Sequence, residues 1–126
     1  MSRSTSLSHY ARLVIYKLLN ALEWRAAAGT GSYPGSDLDR ADGFIHFSTA
    51  DQVVETAGRY FAGRRDLMLL AVDPAPLGDA LRWEPSRGGE LFPHLYGPLP
   101  VSAVVKELPL CDDVPVADAV ARALDR

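Results

Sequence analysis

An uninterrupted apolar run in the middle of the sequence constrains the fold more than any other feature. Between Asp66 and Asp73 the chain reads Leu-Met-Leu-Leu-Ala-Val, with no polar residue inside the run. This length is typical of a strand, and the side chains of a strand point alternately to its two faces. A strand that is apolar at every position has to be covered on both faces. The sequence therefore predicts a doubly buried strand over 66–73, which ends before Pro74 and Pro76.

The rest of the chain alternates between strand and helix signals. Apolar and aromatic stretches bounded by Gly and Pro predict strands over 13–19, 44–48, 80–84, 93–97 and 101–108. Apolar residues at helical spacing, with capping residues, predict helices over 21–28, 49–62 and 116–126. The glycine-rich segment 29–43 has no apolar period and is predicted to be a loop. This order favours an α+β fold in which the late strands pair antiparallel.

The predicted helix over 49–62 has a clear amphipathic pattern. Ser48 begins the sequence Ser-Thr-Ala-Asp, which is similar to a capping box with Asp in place of Glu, and Gly63 is a natural stop. The apolar face of the helix is formed by Val53, Val54, Ala57, Tyr60 and Phe61.

Length and composition predict a single globular domain in the cytoplasm. A chain of 126 residues is the usual size of one domain, here over 12–126, and the Ser-rich segment 1–11 reads as a mobile tail. The balance of 13 Lys and Arg against 16 Asp and Glu implies no nucleic-acid partner. Neither a membrane span nor a signal peptide is evident. The single cysteine, Cys111, excludes a disulfide framework and a CxxC metal site, and its acidic neighbours argue against a catalytic thiol.

His46 and Ser48 are the first candidates for a functional site. They occupy alternate positions of the strand over 44–48, so their side chains point to the face opposite to Ile45 and Phe47. A neutral imidazole offers one donor and one acceptor, and a helix N-terminus attracts phosphate or carboxylate groups. The alternative is structural: His46 would be a half-buried, hydrogen-bonded residue, and Ser48 only a helix cap.

A second group of candidates lies in the segment WEPSRGGELFPHLYG. Arg87 offers a planar fork of donors for phosphate or carboxylate, and the neighbouring glycines let the backbone approach a ligand. Glu84, Glu90 and His94 are candidates for acid–base work. Tyr96 shares a face with His94 if the segment is extended. The alternative is a hairpin loop with solvated charges.

The remaining charged residues give weaker signals. Lys17 lies in an apolar strand and points either into the same cleft or to solvent, and solvent is favoured because lysine stems snorkel readily. Asp37, Asp39 and Asp42 lack the glycine and terminal glutamate of a calcium-binding loop. Surface turn chemistry is therefore favoured for the three aspartates, and no metal site is predicted.

Four stretches of the chain form recognisable motifs: IYKLL, DGFIHFSTADQV followed by TAGRYF, LLAVD, and LRWEPSRGGELFPHLYGPLP. These motifs resemble those of DUF952, a family of small bacterial proteins. The resemblance extends from Val14 to Leu110. Membership of this family implies no established activity.

A more distant resemblance links GFIHFS and DLMLLAVD to proteins of the ADP-ribosyltransferase fold. It implies a split, mostly antiparallel sheet with flanking helices and a cleft for NAD. The His-x-Ser that the tRNA 2′-phosphotransferases carry on the corresponding strand matches His46 and Ser48. Tyr16 or Lys17 would stand where the first strand usually supplies a histidine for the NAD ribose. Where the superfamily has a glutamate late in the sheet, this chain has His94.

The resemblance implies binding of an NAD-like nucleotide or another phosphorylated small molecule in a cleft. ADP-ribosyl or phosphate transfer is the reaction that it implies. His46 and Ser48 would then contact the nucleotide and Arg87 the phosphate. The alternative is a non-enzymatic module that recognises a small molecule or a protein through the same residues. For either function we expect His46, Arg87 and the Gly88-Gly89 turn to converge on one cleft.

Replacing His46 with alanine tests the two interpretations of that residue. If the ring faces a ligand cleft, the free energy of unfolding should fall by under about 1 kcal/mol, and nucleotide affinity should fall about tenfold or more. If the ring is a bonded core residue, stability should fall by about 2 kcal/mol or more with no selective effect on binding. A urea melt and a thermal-shift titration with NAD measure both quantities. A large stability loss with unchanged affinity would exclude the cleft.

Overall fold

The structure, a computed structural model, describes residues 14–125. Its strands are β1 (Ile15–Asn20), β2 (Ser32–Tyr33), β3 (Ile45–His46), β4 (Leu67–Val72), β5 (Leu81–Pro85), β6 (Leu91–Leu95), β7 (Leu99–Pro100) and β8 (Val104–Pro109). Its α-helices are α1 (Ala21–Ala28), α2 (Asp37–Asp42), α3 (Ala50–Tyr60) and α4 (Val116–Leu124). Short 3-10 segments occupy Ala75–Ala80, Arg87–Gly89 and Val101–Ala103. The predicted tail over 1–11 lies outside the described residues.

Strand β4 is the centre of the first sheet, in which it pairs antiparallel with both β1 and β8. All six of its residues are buried. Met68, Leu70 and Val72 belong to one apolar cluster, and Leu67 and Leu69 belong to another on the opposite face. The predicted strand over 66–73, with burial on both faces, is thus confirmed.

The two faces of this sheet are covered by different elements. Helices α3 and α4 pack on the face of Leu69 through Val53, Ala57 and Val120, all of which are almost completely buried. On the other face, Trp24 of α1 joins a cluster whose further members include Tyr33, Ile45, Phe47, Leu95 and Leu99. The prediction that Tyr60 belongs to the apolar face of α3 is wrong, since its side chain is 59% exposed.

The second sheet has the order β3-β6-β5, again antiparallel, and β2 pairs with β7 as a separate ribbon. Among residues 14–125, one isolated bridge joins the two three-stranded sheets. Its two hydrogen bonds run from Tyr16 N–H to the Ser48 carbonyl at 2.8 Å and from Ser48 N–H to the Tyr16 carbonyl at 2.9 Å. An α+β fold with antiparallel sheets is thus confirmed.

The segment 29–43 is not a simple loop, as the sequence predicted, because it contains β2 and the helix α2. Ser36 and Asp39 form a capping box: the Ser36 hydroxyl accepts from Asp39 N–H at 3.1 Å, and the Asp39 carboxylate accepts from Ser36 N–H at 2.9 Å. Gly43 ends the helix with a φ of +89°. A helix of only six residues shows no apolar periodicity, so only its cap could have been read from the sequence.

Some predicted boundaries also differ. The cap of α3 is Thr49 and not Ser48, because the Gln52 side chain accepts from the Thr49 N–H at 3.0 Å. The strand predicted over 101–108 starts three residues later, at Val104, since the preceding residues form a 3-10 turn. The strand predicted over 93–97 instead spans Leu91–Leu95.

Truncation of Leu70 should reveal how much the doubly buried strand contributes. Leu70 is completely buried, so Leu70→Ala should lower the free energy of unfolding by about 3–5 kcal/mol through lost burial and a residual cavity. Val105→Ala on β8, where the side chain is 56% exposed, should cost under about 1 kcal/mol. Urea unfolding of the two variants measures the difference. Similar losses in both would contradict the assignment of β4 as the central strand.

Candidate functional site

A cavity of about 500 Å³ lies beside the bridge between the two sheets. Small-molecule sites commonly have a volume of about 300–1,000 Å³. The walls come from β1, the end of β3, β6, α2 and α3. Six of the residues predicted from the sequence line this cavity: Tyr16, Lys17, His46, Ser48, Arg87 and His94.

Lys17 is buried, which corrects the expectation that its side chain reaches solvent. Its Nζ atom lies 2.8 Å from one carboxylate oxygen of Asp39 and 3.2 Å from the other. Burial lowers the pKa of Lys17, and the charge of Asp39 opposes that shift. The lysine is therefore committed to an ion pair inside the protein.

Asp39 is the site residue that sequence reasoning missed, since surface turn chemistry had been favoured for it. The side chain is 2% exposed and accepts from Lys17, from the Ser36 N–H and from the His46 N–H. Burial alone would raise the pKa of Asp39, but the hydrogen bonds from His46 and Lys17 and the charge of Lys17 hold it far below its usual range. Asp39 is thus a carboxylate that joins β1, α2 and β3. In the sequence, the Ser36-x-x-Asp39 pattern of a capping box was the one feature that could have indicated a structural role for Asp39.

Gly35 makes room for this carboxylate. Its φ is +102°, and a Cβ atom at this position would lie 2.9 Å from the Cβ of Asp39 and 3.3 Å from a side-chain carbon of Ile45. The Gly35 carbonyl also accepts from Arg40 at 2.6 Å. A residue with a side chain would be strained at Gly35 and would displace Asp39.

His46 is held between two carboxylates. Its Nδ1 lies 2.6 Å from Asp39 Oδ1, and its Nε2 lies 2.9 Å from Asp42 Oδ2. The contact with Asp39 is a hydrogen bond, and Asp42 lies close to the opposite edge of the ring. The side chain is 33% exposed and lines the cavity, so the structural interpretation of a half-buried, hydrogen-bonded residue is confirmed, and its role in a site stays a prediction. His46→Ala should accordingly affect stability as well as any ligand that the cavity binds.

Ser48 and Arg87 lie on the α3 side of the cavity. The Ser48 Oγ is 3.2 Å from the Thr56 Oγ1, and an Arg87 terminal nitrogen donates to the same Thr56 oxygen at 3.4 Å. The Arg87 guanidinium stacks on Phe92 at 4.9 Å, and its Nε is 3.7 Å from Glu55. The polar contacts of this guanidinium are long and therefore weak, so the contact with the Phe92 ring is the one that holds it in place. Its donors therefore remain able to bind an anion.

His94, Glu84 and Tyr96 form a second polar group. The His94 Nδ1 lies 2.8 Å from Glu84 Oε1, and the Tyr96 hydroxyl donates to the same oxygen at 2.8 Å. Tyr96 lies just beyond the end of β6, and both side chains reach the same carboxylate. The two hydrogen bonds lower the pKa of Glu84, and the bond to Glu84 raises the pKa of Tyr96. Glu84 and Tyr96 do not line the cavity and reach it only through His94.

The expected convergence is only partly observed. His46 and Arg87 line one cavity, whereas Gly88 and Gly89 do not. Glu90, a candidate for acid–base work, also lies outside it: its carboxylate is exposed and accepts from the Gln52 side chain at 3.2 Å. The register of the β5–β6 hairpin places Glu90 beyond its paired residues.

Along residues 14–125, no group of three or more His, Cys, Asp or Glu side chains has an arrangement able to hold a metal ion. Among the helices in the same range, none has the length and apolar character needed to cross a bilayer.

Fold and site together define a small α+β protein with a cavity, lined by polar and apolar side chains, beside the bridge between two antiparallel sheets. The family model described as "Protein of unknown function (DUF952)" matches residues 18–107, and the chain belongs to this family. The family resemblance seen in the sequence is thus confirmed.

Solved structures agree with this assignment. One is the crystal structure of protein CC0527 from Caulobacter crescentus, a structural genomics target. Its sequence is 51% identical to this chain, and the match has a TM-score of 0.78 and covers 86% of this chain and 98% of CC0527. The solution NMR structure of CC0527 matches with 51% sequence identity and a TM-score of 0.71. This match covers 82% of this chain and 90% of CC0527. The curated proteins include no match to this chain.

Asp39→Asn should strongly destabilise the protein. The change leaves the buried ammonium of Lys17 without its counter-charge, which should cost about 3–5 kcal/mol. Asp37→Asn, at a fully exposed carboxylate paired with Arg40, should cost under about 1 kcal/mol. Urea unfolding at neutral pH measures both. If the Asp39 variant were as stable as the Asp37 variant, the ion pair would not stabilise the fold.

The same variant should change the response of stability to acid. Because the pKa of Asp39 is lowered in the folded state, its contribution is present above the usual carboxylate pKa and is lost as the pH falls towards the folded value. The stability difference between wild type and Asp39→Asn should therefore shrink by about 1.4 kcal/mol per pH unit below about pH 4. Urea melts between neutral and acid pH test this. A constant difference would contradict the lowered pKa.

Proposed function

We propose that this protein binds a nucleotide of the NAD type in the cavity between its two sheets. The observation that carries the proposal is the Arg87 guanidinium, which lies against an aromatic ring inside the cavity with only long polar contacts. A planar guanidinium held in this way is suited to a phosphate. Two other cations line the cavity: Lys17 is already neutralised by Asp39, and the exposed Arg64 lies over the Phe61 ring.

The surroundings of Arg87 fit the rest of such a ligand. The hydroxyls of Ser48 and Thr56 lie within one hydrogen-bonded group with it and would donate to a phosphate oxygen. Tyr60 and Phe61 also line the cavity and offer surfaces for a planar base. A nucleotide carries both a phosphate and a planar base, so it matches a cavity that offers phosphate donors beside aromatic rings.

The division of the sheet supports the more distant resemblance as well. The ADP-ribosyltransferase fold implies a split antiparallel sheet with the nucleotide in the cleft, and His46 and Ser48 line the cavity beside the split. Of the two residues proposed for the first strand, Tyr16 is the better ligand contact because Lys17 is bound to Asp39.

Binding has stronger support than transfer. On the strand where the superfamily carries its glutamate, this chain has His94, and Glu84 and Glu90 do not line the cavity. In the transfer or hydrolysis of NAD the bond between ribose and nicotinamide breaks, the bonding electrons leave with nicotinamide, and the oxygen of an acceptor or of water bonds to the ribose carbon. Release of nicotinamide, followed by chromatography, would show an enzyme. Binding without release would show a recognition module.

Arg87→Gln should weaken nucleotide binding while the fold persists. Loss of a charged hydrogen bond should raise the dissociation constant for NAD about tenfold or more. Arg122→Gln, an exposed change on α4 away from the cavity, removes the same charge and should leave the constant within about twofold. Calorimetric titration of NAD and of ADP-ribose into both variants measures the effect. Equal affinities in the two variants would contradict the phosphate role of Arg87.

A further inference from the structure

We infer that Glu84 is a positioning residue that fixes the tautomer of His94, so that Nδ1 carries the ring proton and Nε2 faces the cavity as a hydrogen-bond acceptor. The acceptor would take an O–H or N–H donor of the ligand, such as a sugar hydroxyl. This ligand role rests on the proposed function, whereas the tautomer does not.

The contact with Glu84 decides which nitrogen is protonated. A carboxylate can only accept hydrogen bonds, and its Oε1 lies 2.8 Å from the His94 Nδ1, so Nδ1 has to donate. Tyr96 donates to the same oxygen at 2.8 Å, which orients the carboxylate. In a neutral ring with a proton on Nδ1, the other nitrogen carries a lone pair.

Packing directs the other edge of the ring at the cavity. Phe44 stacks on His94 with 4.1 Å between ring centroids, and the His94 side chain is only 6% exposed. His94 lines the cavity and Glu84 does not, so the ring edge away from Glu84 is the edge that meets the cavity. Along residues 14–125, no hydrogen bond engages the His94 Nε2.

The second histidine of the cavity cannot have the same role. His46 has a carboxylate within 2.9 Å of each ring nitrogen, so neither nitrogen is free to accept from a ligand. His94 has one such partner. The two rings, with centroids 5.7 Å apart, therefore differ in function: His46 is an internal donor, and His94 is the acceptor.

Imidazole nitrogen chemical shifts test the tautomer without any ligand. In long-range proton–nitrogen NMR spectra at pH 8, wild-type His94 should show a protonated Nδ1 and an unprotonated Nε2, with His94→Asn used for assignment. Glu84→Ala should give a mixture of tautomers. Glu84→Gln should restore the wild-type pattern, because the amide oxygen still accepts from Nδ1. A protonated Nε2 in the wild type, or an unchanged pattern in Glu84→Ala, would overturn the inference.

Titration of NAD into the same variants tests the ligand role. Glu84→Ala should weaken NAD binding about fivefold to tenfold. Glu84→Gln should bind NAD nearly as the wild type does. Glu107→Ala on β8 is the control, because it removes an exposed carboxylate that does not line the cavity. If the wild type does not bind NAD, the nucleotide proposal fails, and the tautomer spectra alone decide the inference about Glu84. If NAD binds equally to Glu84→Ala and wild type, the acceptor role of His94 is overturned.

Discussion

The buried ion pair between Lys17 and Asp39 is the interaction on which the cavity depends. It joins the first strand of one sheet to the short helix α2, and the same carboxylate accepts from the backbone and the ring of His46 on the other sheet. A carboxylate removed from water needs several donors, and here they come from Lys17 on β1, from Ser36 at the start of α2 and twice from His46 on β3. The geometry of the cavity wall is therefore determined by how Asp39 satisfies its oxygens.

The cavity lies beside the point where the sheet that contains the doubly buried strand β4 meets the second sheet. Both faces of its sheet are covered, one by α3 and α4 and the other by the cluster around Trp24. β1 belongs to this sheet, and along residues 14–125 the isolated bridge between Tyr16 and Ser48 links it to the second sheet. Where two twisted sheets meet at a single bridge, their edges diverge, and polar side chains from both can line the space between them.

Sequence reasoning succeeded best where the pattern was long and regular. The strand around Leu70 and the helices that follow Asn20 and Ser48 were predicted from local periodicity and capping residues, and the structure has both. It failed for α2, whose six residues are too few for a period, and consequently for Asp39, whose acidic neighbours suggested an ordinary turn. Sequence reasoning also favoured an exposed Lys17. The anion that compensates the cost of burying this lysine, Asp39, lies 22 positions further along the chain and could not be paired with it from the sequence.

Local sequence determined the α+β class, the central strand and the set of polar residue types, because burial periodicity and capping act over a few neighbouring residues. Only the tertiary structure decided which of these polar residues meet. It brought Lys17, Asp39 and His46 into one network, placed Arg87 against Phe92, and left Glu90 outside. The physical reason is that ion pairs and hydrogen bonds need contact within a few ångströms, and such contacts between distant segments arise only when the sheets pack.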